Sequence, residues 1–220
     1  MRNLPRLDPD EAGNAHLHEL IDRLHPDDAA PFVEKLTAQP LRARFHTYRE
    51  LLLGAYLRQG GANFRYEQLV RGKTPDWSLY GEDSRLLEVI DVVTLHQRNE
   101  KEQEISVSVR STGSWSGWIG IPPDHIYRKL SDKAGQYSEL VREVGVPYVL
   151  GVFGEFVASL SPQEIEQVLY RQHNGWFTTA PEVSGVIYFR ESNFSFELSY
   201  FPNPVALYPS TVLSGQPGAA

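Results

Sequence analysis

The hydrophobic pattern along the chain changes period several times. Between residues 41 and 58 apolar side chains recur at helical spacing, with Phe45, Tyr48, Leu52, Ala55 and Tyr56 on one stripe. Gly60-Gly61 closes that segment. Residues 63–70 and 76–80 are short runs rich in aromatic and branched residues, and each predicts a strand. Thr74-Pro75 separates them, and Gly81-Glu82-Asp83 marks the next turn. Residues 85–95 are nearly all apolar, the mark of a central strand covered on both faces. Helical spacing returns over residues 122–144, where Ile126, Leu130, Tyr137, Val141 and Val144 form a stripe that stops at Gly145 and Pro147.

The remaining segments are shorter. Residues 10–25 predict one helix, and His25-Pro26-Asp27-Asp28 breaks it and opens a second. Residues 147–153 predict a fourth strand. Residues 161–171 predict a helix with a Ser-Pro start and a capping-box Glu164. Residues 183–190 and 194–201 predict a strand pair. The polar run 97–104 predicts a mobile loop, residues 105–109 a short strand, and residues 111–118 a Gly/Ser loop carrying Trp115 and Trp118. The last seven residues predict disorder. A three-strand meander, a crossover helix and a further strand make an α/β fold with a mixed sheet and helices on its faces.

Composition narrows the chemistry. The 220 residues include no cysteine, which excludes a disulfide framework, a thiolate metal site and a cysteine nucleophile. A net charge of −7 excludes a generally basic coat for nucleic acid. Residues 42–73, however, carry seven basic side chains against two acidic ones, which hints at an anionic ligand or a solvated basic helix face. No run approaches the roughly 18 apolar residues of a membrane span. No apolar leader follows Met1, so the expectation is a cytoplasmic protein with no membrane partner.

Acids and a lysine in apolar surroundings are the candidate chemistry. Strand alternation places Glu88 with Ile90 and Val92 on one face, and Asp91 with Leu87 and Val89 on the other. A carboxylate inside such a strand is costly unless paired or metal-bound. Asp76 opens the neighbouring strand, so Asp76 and Glu88 are expected to converge on one divalent cation, with Asp91 set aside. Lys133 interrupts the apolar stripe of the long helix, with Tyr137 one turn on. Glu88 or a bound phosphate is its expected partner. Nucleophile-elbow and phosphate-loop motifs are missing, and His46, His96, His125 and His173 show no ligand spacing.

Thr74-Pro75-Asp76, then Leu87-Glu88-Val89 on a buried strand, then Lys133-x-x-x-Tyr137 on a helix, resemble the PD-(D/E)XK nuclease superfamily. The resemblance spans residues 41–156. It implies a restriction-endonuclease-like α-β-β-β-α-β core and a Mg²⁺ or Mn²⁺ ion held by Asp76, Glu88 and the Val89 backbone carbonyl. Glu50 is a further candidate ligand, although the helical wheel sets it opposite the apolar stripe, facing solvent. Ile90 stands in the slot of the usual lysine, and Lys133 is the expected substitute. The implied activity is hydrolysis of phosphodiester bonds, with DNA favoured over RNA. Arg71, Lys73, Tyr137, Trp115 and Trp118 are the candidates for contacting substrate.

Two other readings stand beside this one. The first is an inactive member of the same fold that serves as an interaction or assembly module. The second is an unrelated α/β protein with a buried Glu88–Lys133 ion pair. The expected organisation is a helical extension over residues 1–40, the α/β domain over 41–202, and a partly disordered tail over 203–220. The extension and the C-terminal strands are left to substrate recognition or to a homodimer surface.

Overall fold

The computed structural model describes residues 11–59, 61–96, 120–154, 160–171, 175–192 and 195–211. The polar loop 97–104, the strand 105–109, the Trp115/Trp118 loop, Gly60 and the last seven residues lie outside the described residues.

Among the described residues the fold is mixed α/β, with five α-helices and a six-stranded mixed sheet. Helices α1 (Glu11–Asp22), α2 (Pro26–Ala38) and α3 (Leu41–Arg58) lead into strands β1 (Asn63–Tyr66), β2 (Trp77–Tyr80) and β3 (Leu86–Leu95). Helix α4 (Pro123–Val144) crosses over to β4 (Tyr148–Gly154). Helix α5 (Pro162–Tyr170) and a 3₁₀ turn, Trp176–Thr179, lead to β5 (Gly185–Ser192) and β6 (Ser195–Pro202). The spatial order is β1-β2-β3-β4-β5-β6. The first three strands are antiparallel, β3, β4 and β5 run parallel, and β6 returns antiparallel.

Local signals set most element ends. Pro26 is the first residue of α2, and His25 Nδ1 accepts the Asp27 N–H. Gly145, at φ +67°, ends α4 in the left-handed conformation that glycine adopts without strain. Ser161 and Glu164 exchange the two hydrogen bonds of a capping box.

Two apolar layers sandwich the sheet. On one face α1, α2 and α3 bury Leu20, Phe32, Leu36 and Leu53 against Trp77, Ile90 and Val92. On the other, α4 and α5 bury Leu130, Tyr137, Val141 and Ile165 against Val89, Val93 and Leu150. Helix α3 lies between the sheet and the first two helices, so it is buried on several sides. This corrects the expected single stripe: Phe45 is exposed, while Thr47, Arg49 and Glu50 are buried. The tail is tied down as far as residue 210. Asn203 Nδ2 donates to the carbonyls of Ala180 and Val183, and Ser184 Oγ donates to the Tyr208 carbonyl.

Candidate active site

The turn before β2 presents the first acid. Glu67 N–H donates to the Asp76 carbonyl, and the Tyr137 hydroxyl reaches across from α4 to the Thr74 carbonyl at 3.0 Å. The Thr74-Pro75-Asp76 segment is therefore clamped between β1 and α4. Asp76 Oδ2 accepts the Val92 N–H at 2.6 Å, which aims the carboxylate at β3. Trp77 pairs in register with Ile90, so one step outward sets Asp76 beside Asp91. The Asp76 N–H donates to Asp91 Oδ1 at 3.3 Å.

Lys133 completes the group from α4. Its Nζ lies 3.0 Å from Asp91 Oδ1 and 3.8 Å from Asp76 Oδ2. The ammonium also sits 5.6 Å from the centroid of the Tyr137 ring. Burial and the neighbouring Asp76 charge push Asp91 up to about 7, against the pull of Lys133. Burial works against the Lys133 ammonium, but the two aspartates outweigh it and hold its pKa above the usual lysine value. Asp91 Oδ2 is buried and has no hydrogen-bond partner, and the Tyr148 hydroxyl, which adjoins Asp91, is also unsatisfied.

A second acid faces the same group from α3. Glu50 is buried, with Oε2 accepting the Tyr66 hydroxyl and Oε1 3.2 Å from His46 Nε2. Burial, followed by the Asp76 charge, raises Glu50 to about 8. His46 is held below the usual imidazole value by burial, and its Nδ1 lies 3.1 Å from Thr94 Oγ1. On the outer side, Lys35 Nζ donates to the Tyr66 oxygen at 2.8 Å and to Glu67 Oε1 at 2.5 Å.

The structure thus brings together Asp76, Lys133, Tyr137 and Glu50 from the sequence-based set, and adds Asp91, His46 and Tyr66. Glu88 does not join them. It pairs in register with Leu79, on the face covered by α3, and its Oε2 accepts the Ser210 hydroxyl at 2.6 Å. The expected Glu88–Lys133 pair is therefore replaced by Asp91–Lys133. The physical reason is which helix layer covers which face: α4 covers the Asp91 face of β3. The Val89 carbonyl was tied to Glu88; Val89 sits inside the ladder, in register with Ser78 and Tyr148. Glu50 is buried rather than solvated, because α3 is covered on both sides. Arg71 lies away from the group, 3.4 Å from Glu143 and mostly exposed, and Lys73 pairs with Val70 in the same exposed turn. Trp115 and Trp118 fall outside the described residues.

The register that sets Asp76 across from Asp91 carries no signal in the sequence: the turn pairs Tyr80 with Leu86, and an irregularity between Leu79 and Tyr80 shifts the following pairs by one residue. One signal for a missed residue was present. His46 precedes Glu50 by four residues on α3, the spacing that shares a helix face.

Among the described residues no group of three or more His, Asp or Glu side chains is arranged to hold a metal ion. Asp76, just before β2, and Asp91, on β3, offer two carboxylates side by side, one with a buried oxygen that lacks a partner. That donor set suits Mg²⁺, which takes one or two carboxylates and completes its shell with water and phosphate oxygens. Among the described residues no helix is long and apolar enough to cross a membrane. Compared with models of protein families, with curated proteins and with solved structures, the chain matches none of them.

Proposed function

We propose that this chain is a metal-dependent nuclease of the restriction-endonuclease-like kind, hydrolysing phosphodiester bonds in nucleic acid, with DNA favoured. One observation carries the reading: Asp76 and Asp91 from adjacent strands share the Lys133 ammonium from the crossover helix. The same residues give a closer fit to the PD-(D/E)XK pattern than Glu88 does. Pro75-Asp76 is followed by Asp91-Val92-Val93, with Val93 in the lysine slot and Lys133 supplying the charge from α4.

Asp76 and Asp91 would hold the cation, whose chemistry is to lower the pKa of a water and to offset charge on the phosphoryl oxygens. Lys133 would move from its aspartate partners toward the phosphate or the attacking water. Tyr137 would hold the Thr74–Asp76 turn in place through its bond to the Thr74 carbonyl. Val92 N–H fixes the rotation of the Asp76 carboxylate, which keeps one oxygen turned to β3.

An inactive fold member is the competing reading, because the Lys133 ammonium already pairs with both aspartates. Calorimetry with Mg²⁺ and Mn²⁺ separates the two, on the wild type and on Asp76→Ala, in the presence of a short oligonucleotide. Binding lost in the variant, together with cleavage of single- or double-stranded substrate by the wild type, supports the nuclease. Absence of both binding and cleavage in the wild type overturns it.

A further inference from the structure

Strand β3 runs past its neighbour. Its pairing with β2 ends at Ile90, opposite Trp77, while its pairing with β4 continues to Leu95. Among the described residues no strand lies on the β2 side of residues 92–95. The next N–H on that edge, from Val92, goes to the Asp76 carboxylate instead of to a strand. A notch therefore opens at the sheet edge, with Asp76 and Asp91 at its closed end. Helix α3 forms one wall, where His46 Nδ1 lies 3.1 Å from Thr94 Oγ1 and Arg49 Nη1 donates to the same oxygen at 3.5 Å. Helix α4 forms the other.

The contacts of α4 show which of its flanks faces the notch. Lys133, Tyr137 and Glu143 reach Asp91, Thr74 and Arg71, beside β2 and β3. Tyr127, Ser131 and Arg142 meet Thr179, Trp176 and Glu182 on the opposite side. Lys129 stands four residues before Lys133 and so shares its flank. Because α4 leads into β4, which is parallel to β3, the helix runs against β3. Lys129 is therefore displaced from Lys133 by about 6 Å along the helix, toward residues 92–95 of β3. Helix α4 carries four Lys and Arg side chains. Arg128 lies against His125, Lys133 against the aspartates and Arg142 against Glu182. Lys129 is half-buried and has no ion pair or hydrogen bond among the described residues.

We propose that one strand of nucleic acid lies in this notch, along the free edge of β3, and that Lys129 binds the phosphate next to the one at Asp76 and Asp91. This rests on the nuclease reading above and names the residue that holds the substrate beside the reacting phosphate. The helix rise suits it: about 6 Å is close to the separation of neighbouring phosphates on one strand, so one backbone meets both positions. Lys133 cannot serve the second position, because two aspartates hold its ammonium. The other end of the flank is unsuited to a polyanion. There Tyr137 is bonded to the Thr74 carbonyl and Glu143 presents a carboxylate to Arg71. An ammonium bonds a phosphate oxygen through a charge-assisted contact and reads no base, so the contact is blind to sequence.

The test reads binding apart from cleavage. A labelled single strand of mixed sequence is titrated with the full chain in Ca²⁺, by fluorescence anisotropy, over a series of NaCl concentrations. Lys129→Gln is expected to weaken binding about fivefold at 0.1 M salt and to reduce the slope of log K against log salt by about 0.7, alike for strands of different sequence. Lys129→Arg keeps the charge and is expected to keep the wild-type slope. Arg142→Gln removes the same charge from the opposite flank and is expected to leave the slope unchanged. Acetylation of the wild type gives a second reading that needs no variant: a bound strand should protect Lys129. A wild-type slope in Lys129→Gln, a loss no larger than that of Arg142→Gln, or a Lys129 that acetylates equally with and without the strand overturns the contact. If the wild type nonetheless binds and cleaves, the nuclease reading stands. A wild type that binds no strand at any salt overturns both.

Discussion

Lys133 Nζ lies 3.0 Å from Asp91 Oδ1, which joins the crossover helix to the central strand through a buried ion pair. Asp91 is fully buried, whereas Lys133 keeps a fifth of its side chain exposed. Removing one member of such a pair leaves the other charge without compensation.

Lys133→Met is expected to destabilise the fold by about 3 kcal/mol, the usual cost of breaking a buried pair. The loss should be larger at pH 8 than at pH 6. Asp91, already pushed up to about 7 by burial and Asp76, can take a proton at the lower pH and so escape the penalty. Urea denaturation at the two pH values measures this. An equal loss at both would mean that Asp91 does not titrate in the folded state.

Glu88 and Asp91 are expected to part company in cation binding. Asp91→Asn should abolish Mg²⁺ binding that the wild type shows by calorimetry. Glu88→Gln should leave that binding within about twofold, since Glu88 lies on the opposite face of β3 from Asp91 and bonds Ser210 instead. Loss of binding in Glu88→Gln alone would restore Glu88 to the site.

Much of this arrangement was legible from the sequence. The buried run 86–95, the amphipathic pattern of residues 123–144 and the proline and glycine stops gave the α-β-β-β-α-β order, because each rests on local signals. Alternation also separated Glu88 from Asp91 correctly. What it could not supply was which helix layer would cover which face of β3. Both faces are covered, so both acids are buried, and the pattern alone does not rank them. The stripe on α3 failed for a related reason: a helix packed between a sheet and two other helices has no single apolar face. Phe45 is exposed there while Glu50, polar by type, is inside.

Glu88 makes a prediction about stability. It is fully buried, and burial raises its carboxyl to about 7, with the Ser210 bond pulling the other way. Between the unfolded value of 4.5 and about 7, the folded state holds a proton that the unfolded chain has lost. Stability therefore falls as pH rises through that window, and the loss is complete above it. The size is on the order of 3 kcal/mol. Glu88→Gln keeps an oxygen to accept from Ser210 and carries no charge. It should match the wild type near pH 4 and exceed it at pH 8 in thermal melts. A variant that is no more stable at pH 8 would show that Glu88 is charged without penalty.

The approach of α3 to β2 rests on a glycine. A Cβ on Gly54 would lie 1.8 Å from Cζ2 of the Trp77 ring, inside any tolerable contact. Trp77 is fully buried, stacks on Phe32, and donates its Nε1 hydrogen to the Glu50 carbonyl at 2.9 Å. Two effects of Gly54→Ala oppose each other. Alanine favours a helix interior over glycine by about 1 kcal/mol. Forcing a methyl into a packed core costs about 1–3 kcal/mol, and more where a rigid ring must move. Here the ring is held on both sides, so the second effect should win and the melting temperature should fall. Near-ultraviolet circular dichroism reports the ring and a thermal melt reports the balance. A rise in melting temperature, as helix propensity alone predicts, would mean that α3 packs farther from β2 than this contact allows.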